Sequence, residues 1–302
     1  MLAASPVELD LQLHAGRLHA QRFGSASAPL VLCLHGLTGN MRSLEFLGER
    51  LGGDALQVVA LDMRGRGKSD VTPPGSYGLQ SHARDVFAAA DALGAERFAL
   101  LGHSMGAGIA LNALSLDDRH RIERVVLIDL CSTPEPSTEP LISAAVARLG
   151  SVYPSVDAYL ELVKQIGTVS PWSDYFERYL RYELEPVDGG VRARTSRDAA
   201  LEDQAEFQLE RAERFYALWP FVREPTVLLR AARELLPGAG YIVGEADRDR
   251  FVREVPAARV VEVDANHYGI ITAEATASLI REFLAEGAWR DPAHSDGSFT
   301  NR

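Results

Sequence analysis

Lysine is nearly missing from this chain: Lys68 and Lys164 are the only two among 302 residues. Arginine makes up the rest of the 31 basic residues, a compositional bias that predicts no chemistry. Against 42 Asp and Glu, the formal net charge is −11. Such a surface repels phosphate backbones and anionic lipid heads, so neither nucleic acid nor a membrane is an expected partner. Cysteine is equally scarce, and Cys33 and Cys131 form no metal-type pair. No apolar run approaches the roughly 20 residues that cross a bilayer. Residues 1–6 lack the basic region and apolar core of a secretory signal. A reduced, cytoplasmic setting is the expectation. No internal repeat is visible. No two of the eight histidines have the spacing of a helical zinc site, so neither metal nor cofactor is expected.

What the chain does have is apolar residues, 46% of the total. That suffices for a large core in one domain with room for an inserted subdomain. Residues 7–13 alternate apolar and polar, then Ala15-Gly16 turns the chain, which predicts two antiparallel strands. Short continuous apolar runs follow at 30–34, 58–61, 98–101 and 125–128, as expected of strands buried on both faces. Helical patterns at 81–93 and 105–114 separate them. Strand alternating with helix argues a mostly parallel sheet covered on both sides. From about 132 to 222 the pattern is mainly helical, with Ser170-Pro171 as a helix start. Trp172, Tyr175, Phe176 and Tyr179 follow at helical spacing. They either pack against neighbouring helices or line a substrate pocket. Strand character returns at 225–229 and 259–263, and an amphipathic helix covers 273–286. The core is therefore assigned to 1–131 and 223–288, a helical cap to 132–222, and a frayed, disordered tail to 289–302.

The chemistry concentrates at Gly102-His103-Ser104-Met105-Gly106, between a buried strand and a helix. This is Gly-x-Ser-x-Gly in the context the pattern needs. A nucleophile on a sharp turn exposes its hydroxyl, and the helix start directs N–H groups toward developing negative charge. His35-Gly36-Leu37-Thr38-Gly39 follows another buried strand and supplies a second backbone donor. The oxyanion hole is assigned to the N–H groups of Leu37 and Met105. A general base belongs late in the chain, and only His267 stands after a late strand and before the final helix. His14, His19, His82 and His294 read as surface residues and His120 as part of a solvated loop. His103 is expected to point away from the catalytic side.

With these residues in order, the sequence resembles the α/β-hydrolase superfamily over about residues 20–285. Leu34-His35-Gly36, the Asp62–Asp70 segment, Gly102–Gly106 and Asn266-His267 carry the resemblance. It implies an eight-stranded, mostly parallel sheet with helices on both faces and an inserted helical cap. It also implies that Asp62–Asp70 is a structural loop. The implied strand order puts the Cys33 strand two strands from the Cys131 strand, too far for a disulfide. For the acid it offers two positions. Glu234, after the strand that follows the cap, is one. Asp129, ending the strand after the nucleophile helix, is the other and is preferred. The Ile128-Asp129-Leu130 ending is similar to a group that includes small bacterial esterases and (E)-2-(acetamidomethylene)succinate hydrolase.

The expected activity is hydrolysis of a carboxylic ester, or a related acyl bond, of a small to medium molecule through an acyl-enzyme on Ser104. Amide, lactone and carbon–carbon bond hydrolysis, cofactor-free oxygenation and ligand sensing use the same fold and remain open. His35, Gly36, Trp172, Tyr175, Phe176 and Tyr268 are the candidate substrate contacts.

Overall fold

A computed structural model describes residues 5–208 and 211–286 of the protein. In chain order, strands β1 (Val7–Leu13), β2 (Gly16–Phe23) and β3 (Leu30–Leu34) precede helix α1 (Glu45–Leu51). Then come β4 (Gln57–Leu61), α2 (Leu79–Ala92), β5 (Phe98–His103), α3 (Met105–Leu116) and β6 (Ile122–Ile128). A long insert holds α4 (Glu139–Ala147), β7 (Val152–Tyr153), α5 (Val156–Ile166) and α6 (Asp174–Glu183). It continues with β8 (Leu184–Val187), β9 (Gly190–Ala193), α7 (Arg197–Gln204) and α8 (Ala212–Tyr216). The chain returns through β10 (Thr226–Ala231), α9 (Glu245–Glu254), β11 (Ala258–Val263) and α10 (Glu274–Ala285).

Eight strands form one sheet in the order β1-β2-β4-β3-β5-β6-β10-β11. Only the β1–β2 and β2–β4 pairs are antiparallel. β3, β4, β5 and β10 are buried along their whole length, and their alternation decides which layer each residue feeds. Leu30, Leu32 and Leu34 of β3 join one apolar cluster, while Val31 and Cys33 join the cluster on the other face. The order β3-β5-β6 leaves one strand between the Cys33 strand and the strand that leads to Cys131, and both thiols are free and buried. Burial drives both well above the usual thiol range.

The insert differs from the helical expectation in two respects. β7, β9 and β8 make a small antiparallel sheet, with the β8–β9 hairpin turning at Asp188-Gly189. Strands of two to four residues carry too little alternation to be read from sequence. Ser170-Pro171 does not start a helix; α6 begins at Asp174, behind Ser173. The tail expected at 289–302 lies outside the described residues, as does His294.

Candidate active site

β5 ends at His103 and α3 begins at Met105, so Ser104 alone makes the turn. Its φ of 55° and ψ of −121° are strained for a residue with a side chain. Close packing imposes that geometry. A Cβ on Gly102 would stand 2.2 Å from the Gly106 carbonyl, and one on Gly106 would stand 2.2 Å from the Leu34 oxygen. Strand and helix therefore approach more closely than any side chain permits. The Ser104 N–H donates to the Ile128 carbonyl at 2.9 Å, which fixes the turn to β6.

The loop after β3 lies directly against this turn. A Cβ at Gly36 would be 3.3 Å from the Ser104 Cβ. His35 stands behind the loop, fully buried and away from the cavity, so it touches no substrate space. Its Nε2 accepts the Met63 N–H at 3.0 Å, and its Nδ1–H donates to the Gly36 carbonyl at 2.7 Å. Burial, with the nearby Arg66 charge, holds the ring down at about 3, so it stays neutral. The Gly39 N–H donates to the same carbonyl at 3.0 Å. In a trans peptide the C=O and the following N–H point in opposite directions. Pinning the Gly36 carbonyl therefore aims the Leu37 N–H. Neither that N–H nor Met105's is used in a loop or turn hydrogen bond between backbone groups of the described residues.

His267 follows β11, and its Nδ1–H donates to Asp129 Oδ2 at 2.8 Å. Its other nitrogen, Nε2, then carries the free lone pair. Asp129 is 1% exposed and takes a positive φ of 52°. Its second oxygen accepts the Ala231 N–H at 2.9 Å, and its own N–H donates to Leu229 at 2.8 Å. Glu234 is occupied elsewhere: its oxygens accept the N–H groups of Gly238 and Gly240 at 2.8 and 3.3 Å, closing a turn. The structure thus brings Asp129, not Glu234, to His267.

Three histidines differ from their expected settings. His103 does not point away; its Nε2–H donates to the His267 carbonyl at 2.9 Å, and the two ring centroids are 4.5 Å apart. Burial pushes its pKa well down, so it is a neutral plate beside the candidate base. His19 is buried between Asp10 and Glu8, at 2.7 and 3.1 Å. His82 is fully buried on α2 and donates to Asp203 at 2.9 Å. No local pattern marks the partners of His103 and His82, which lie far away in sequence, whereas His19 stands directly opposite Asp10 in the β1–β2 hairpin. His14 and His120 are exposed. The Asp62–Asp70 segment is a braced loop: Asp62 accepts the N–H groups of Met41 and Lys68 and the Tyr182 hydroxyl.

A cavity of about 360 Å³ opens over Ser104, with His267 and His103 also at its wall. The insert supplies most of the apolar lining, including Leu141 and Ile142 of α4, Leu162 and Ile166 of α5, and Tyr179 of α6. Gly36, Leu37, Met105 and Tyr268 also face it. Trp172, Tyr175 and Phe176 do not. Phe176 is 1% exposed in the core; Tyr175 meets Phe46 edge-on at 5.1 Å and donates to Glu49; Trp172 lies under Lys164. α6 turns that side toward the segment around α1, and only Tyr179 of the stripe reaches the cavity. Among the described residues Arg148 is the one Arg or Lys on the wall. Its charge is answered by Glu183 at 2.7 Å, whose other oxygen takes the Tyr159 hydroxyl at 3.0 Å.

Among the described residues no group of three or more His, Cys, Asp or Glu is arranged to hold a metal ion. No helix among them is long and apolar enough to cross a membrane.

A serine strained at a strand–helix turn, a backbone-donor loop against it and a buried Asp–His pair invite comparison with known proteins. Residues 29–274 match the family model described as the alpha/beta hydrolase fold. The chain belongs to this family. It is by family a hydrolase, and several relatives carry that word in their names. It is 27% identical over 291 residues to 2-(acetamidomethylene)succinate hydrolase of Mesorhizobium japonicum, covering 93% of this chain and 97% of the relative. A local match of 39% over 113 residues joins it to N-formylmaleamate deformylase of Pseudomonas putida. That match spans 37% of this chain and only 41% of the relative. A crystal structure of E-2-(acetamidomethylene)succinate hydrolase superposes with a TM-score of 0.77 at 25% identity, over 93% of this chain and 99% of the other.

Proposed function

We propose that the protein is a serine hydrolase that cleaves carboxylic esters of small to medium, largely apolar molecules. The observation that carries this reading is the Asp129–His267 pair set in one cavity with the strained Ser104. His267 Nε2 takes the Ser104 proton as Oγ attacks the acyl carbon. The carbonyl oxygen becomes an oxyanion that accepts hydrogen bonds from the Leu37 and Met105 N–H groups. Collapse breaks the bond to the leaving alkoxide, which receives the proton from His267. Water, deprotonated in turn by His267, attacks the acyl-enzyme; the acid is released as the bond to Ser104 Oγ breaks and Oγ takes the proton back from His267. Asp129 keeps the imidazole in the tautomer with Nδ1–H and stabilises the imidazolium as it forms.

The substrate class rests on the cavity wall. Among the described residues its single Arg or Lys is already paired with Glu183, and most other lining side chains are apolar, so an uncharged acyl group fits best. A panel of chromogenic esters with acyl chains of increasing length tests this. Multiple turnovers with short and medium chains are expected, and slower cleavage of emulsified long-chain triglyceride. Equal or faster attack on the emulsion contradicts the reading.

Amide cleavage is a second reading, favoured by a specific observation. Two relatives act, by their names, on an N-formyl and an acetamido compound. Faster turnover of an anilide than of the matching phenyl ester would prefer it.

A further inference from the structure

Arg66 has no role in the chemistry described so far, yet it is completely buried between the loop after β4 and the candidate oxyanion loop. Its Nε and Nη2 donate to the Leu37 carbonyl at 3.2 and 3.1 Å, and its Nη1 donates to the Arg64 carbonyl at 3.2 Å. Nη2 also meets Asp203 Oδ2 at 2.7 Å, and that carboxylate is itself fully buried. Asp203 comes from α7, in the insert rather than the sheet. It also accepts the Gly78 N–H at 2.6 Å and His82 Nε2–H at 2.9 Å. Burial opposes its ionisation, but the Arg66 charge and the His82 contact hold it at about 2. α7 is tied to the same loop at its start, where the Ser196 N–H donates to the Gly65 carbonyl at 2.8 Å.

These contacts fall on both sides of one residue. The peptide before Leu37 is fixed at the Gly36 carbonyl by His35 and Gly39. The peptide after it is fixed at the Leu37 carbonyl by Arg66. With both flanking carbonyls held, the backbone at Leu37 cannot rotate its N–H away from Ser104. We propose that Arg66 is a positioning residue for the oxyanion hole, and that the insert locks it in place through Asp203. The hole is then complete only when α7 is docked, so the substrate roof and the charge-stabilising loop are assembled by one contact. A guanidinium suits the task because its planar fork reaches a carbonyl and a carboxylate together, which a lysine ammonium cannot do with the same rigidity.

This inference rests on the assignment of Ser104 as nucleophile and Leu37 as donor. Two variants test it: Asp203→Asn, and the double replacement Arg66→Met with Asp203→Leu. The double variant removes both charges together, which buried pairs often tolerate without loss of fold. For each, kcat and KM on a chromogenic ester are measured, with the affinity for two inhibitors. One is a trifluoromethyl ketone, whose adduct with serine places an oxyanion in the hole. The other is an ether isostere of the ester, which fills the cavity and forms no oxyanion. We expect kcat and ketone affinity to fall together by roughly 10- to 100-fold, with KM and ether affinity within about twofold of the parent. A folded double variant with parental kcat and ketone affinity overturns the inference. So does an equal loss of ketone and ether affinity, which would mark general damage to the cavity. If Ser104→Ala instead keeps turnover and ketone affinity, the underlying assignment fails, and the two failures are told apart.

Discussion

Asp129 and Ser104 share an uncommon trait: each carries a side chain on a positive φ, at 52° and 55°. Both sit at the carboxyl ends of adjacent strands, where the sheet presents groups to the cavity. The strain is held by neighbours, since each N–H donates to a carbonyl of the next strand, Ile128 or Leu229. The sequence alone left two acids in contention, because both follow a strand of the right kind. Only the turn that engages Glu234 and the bond that engages Asp129 separate them. Asp129→Asn is expected to favour the wrong histidine tautomer and lower kcat by about 10⁴, with Glu234→Gln keeping most activity. Steady-state rates of the two purified variants decide this, and the reverse ranking would move the acid to Glu234. Ser104 and His267 were legible because a turn motif and a position after the last strand are local signals. Asp203 was not, because a polar residue on a polar helix looks solvated until its distant partners, Arg66 and His82, are known.

The elements behave similarly. The strands of the main sheet announced themselves because each is a short apolar run or a clear alternation, and β3, β4 and β5 are buried throughout. The insert was harder. An aromatic stripe at helical spacing shows that one side of α6 is apolar, not what it faces, and Phe176 faces the core rather than the cavity. The lining of α4 and α5 was missed for the opposite reason: Leu141, Ile142, Leu162 and Ile166 look like ordinary apolar positions of amphipathic helices. The cavity account predicts a selective effect of filling it from α4. Ala145 lines the wall, and Ala145→Phe would occupy space above Ser104. Relative to the parent, kcat/KM for an octanoyl ester is expected to fall roughly tenfold or more, with the acetyl ester affected no more than about threefold. A chain-length series on the variant measures this, and a uniform loss at every length would contradict it.

For the whole molecule, the buried histidines predict how stability responds to acid. Burial lowers His35 to about 3 and His103 well below the usual value. In the unfolded chain both take up protons near the ordinary histidine pKa of about 6.5. Below that pH the unfolded state binds more protons than the folded state, so stability falls as pH falls toward 3. The slope is at most about 1.4 kcal/mol per pH unit for each histidine. Asp203, held at about 2, adds a further loss only below about pH 4, the ordinary range of a carboxylate. Urea denaturation is therefore expected to give about 2 to 4 kcal/mol less stability at pH 5 than at pH 7.5. His35→Gln should flatten that dependence, and equal stabilities at the two pH values in the parent would contradict it.

The central claim is that Ser104 is the nucleophile through which this fold acts, and covalent trapping addresses it most directly. The protein is treated with a fluorophosphonate, digested, and the modified peptide is located by mass spectrometry. The account predicts one adduct, on Ser104, formed in step with loss of esterase activity and absent from Ser104→Ala. An adduct on another residue, or undiminished turnover in Ser104→Ala, would contradict it.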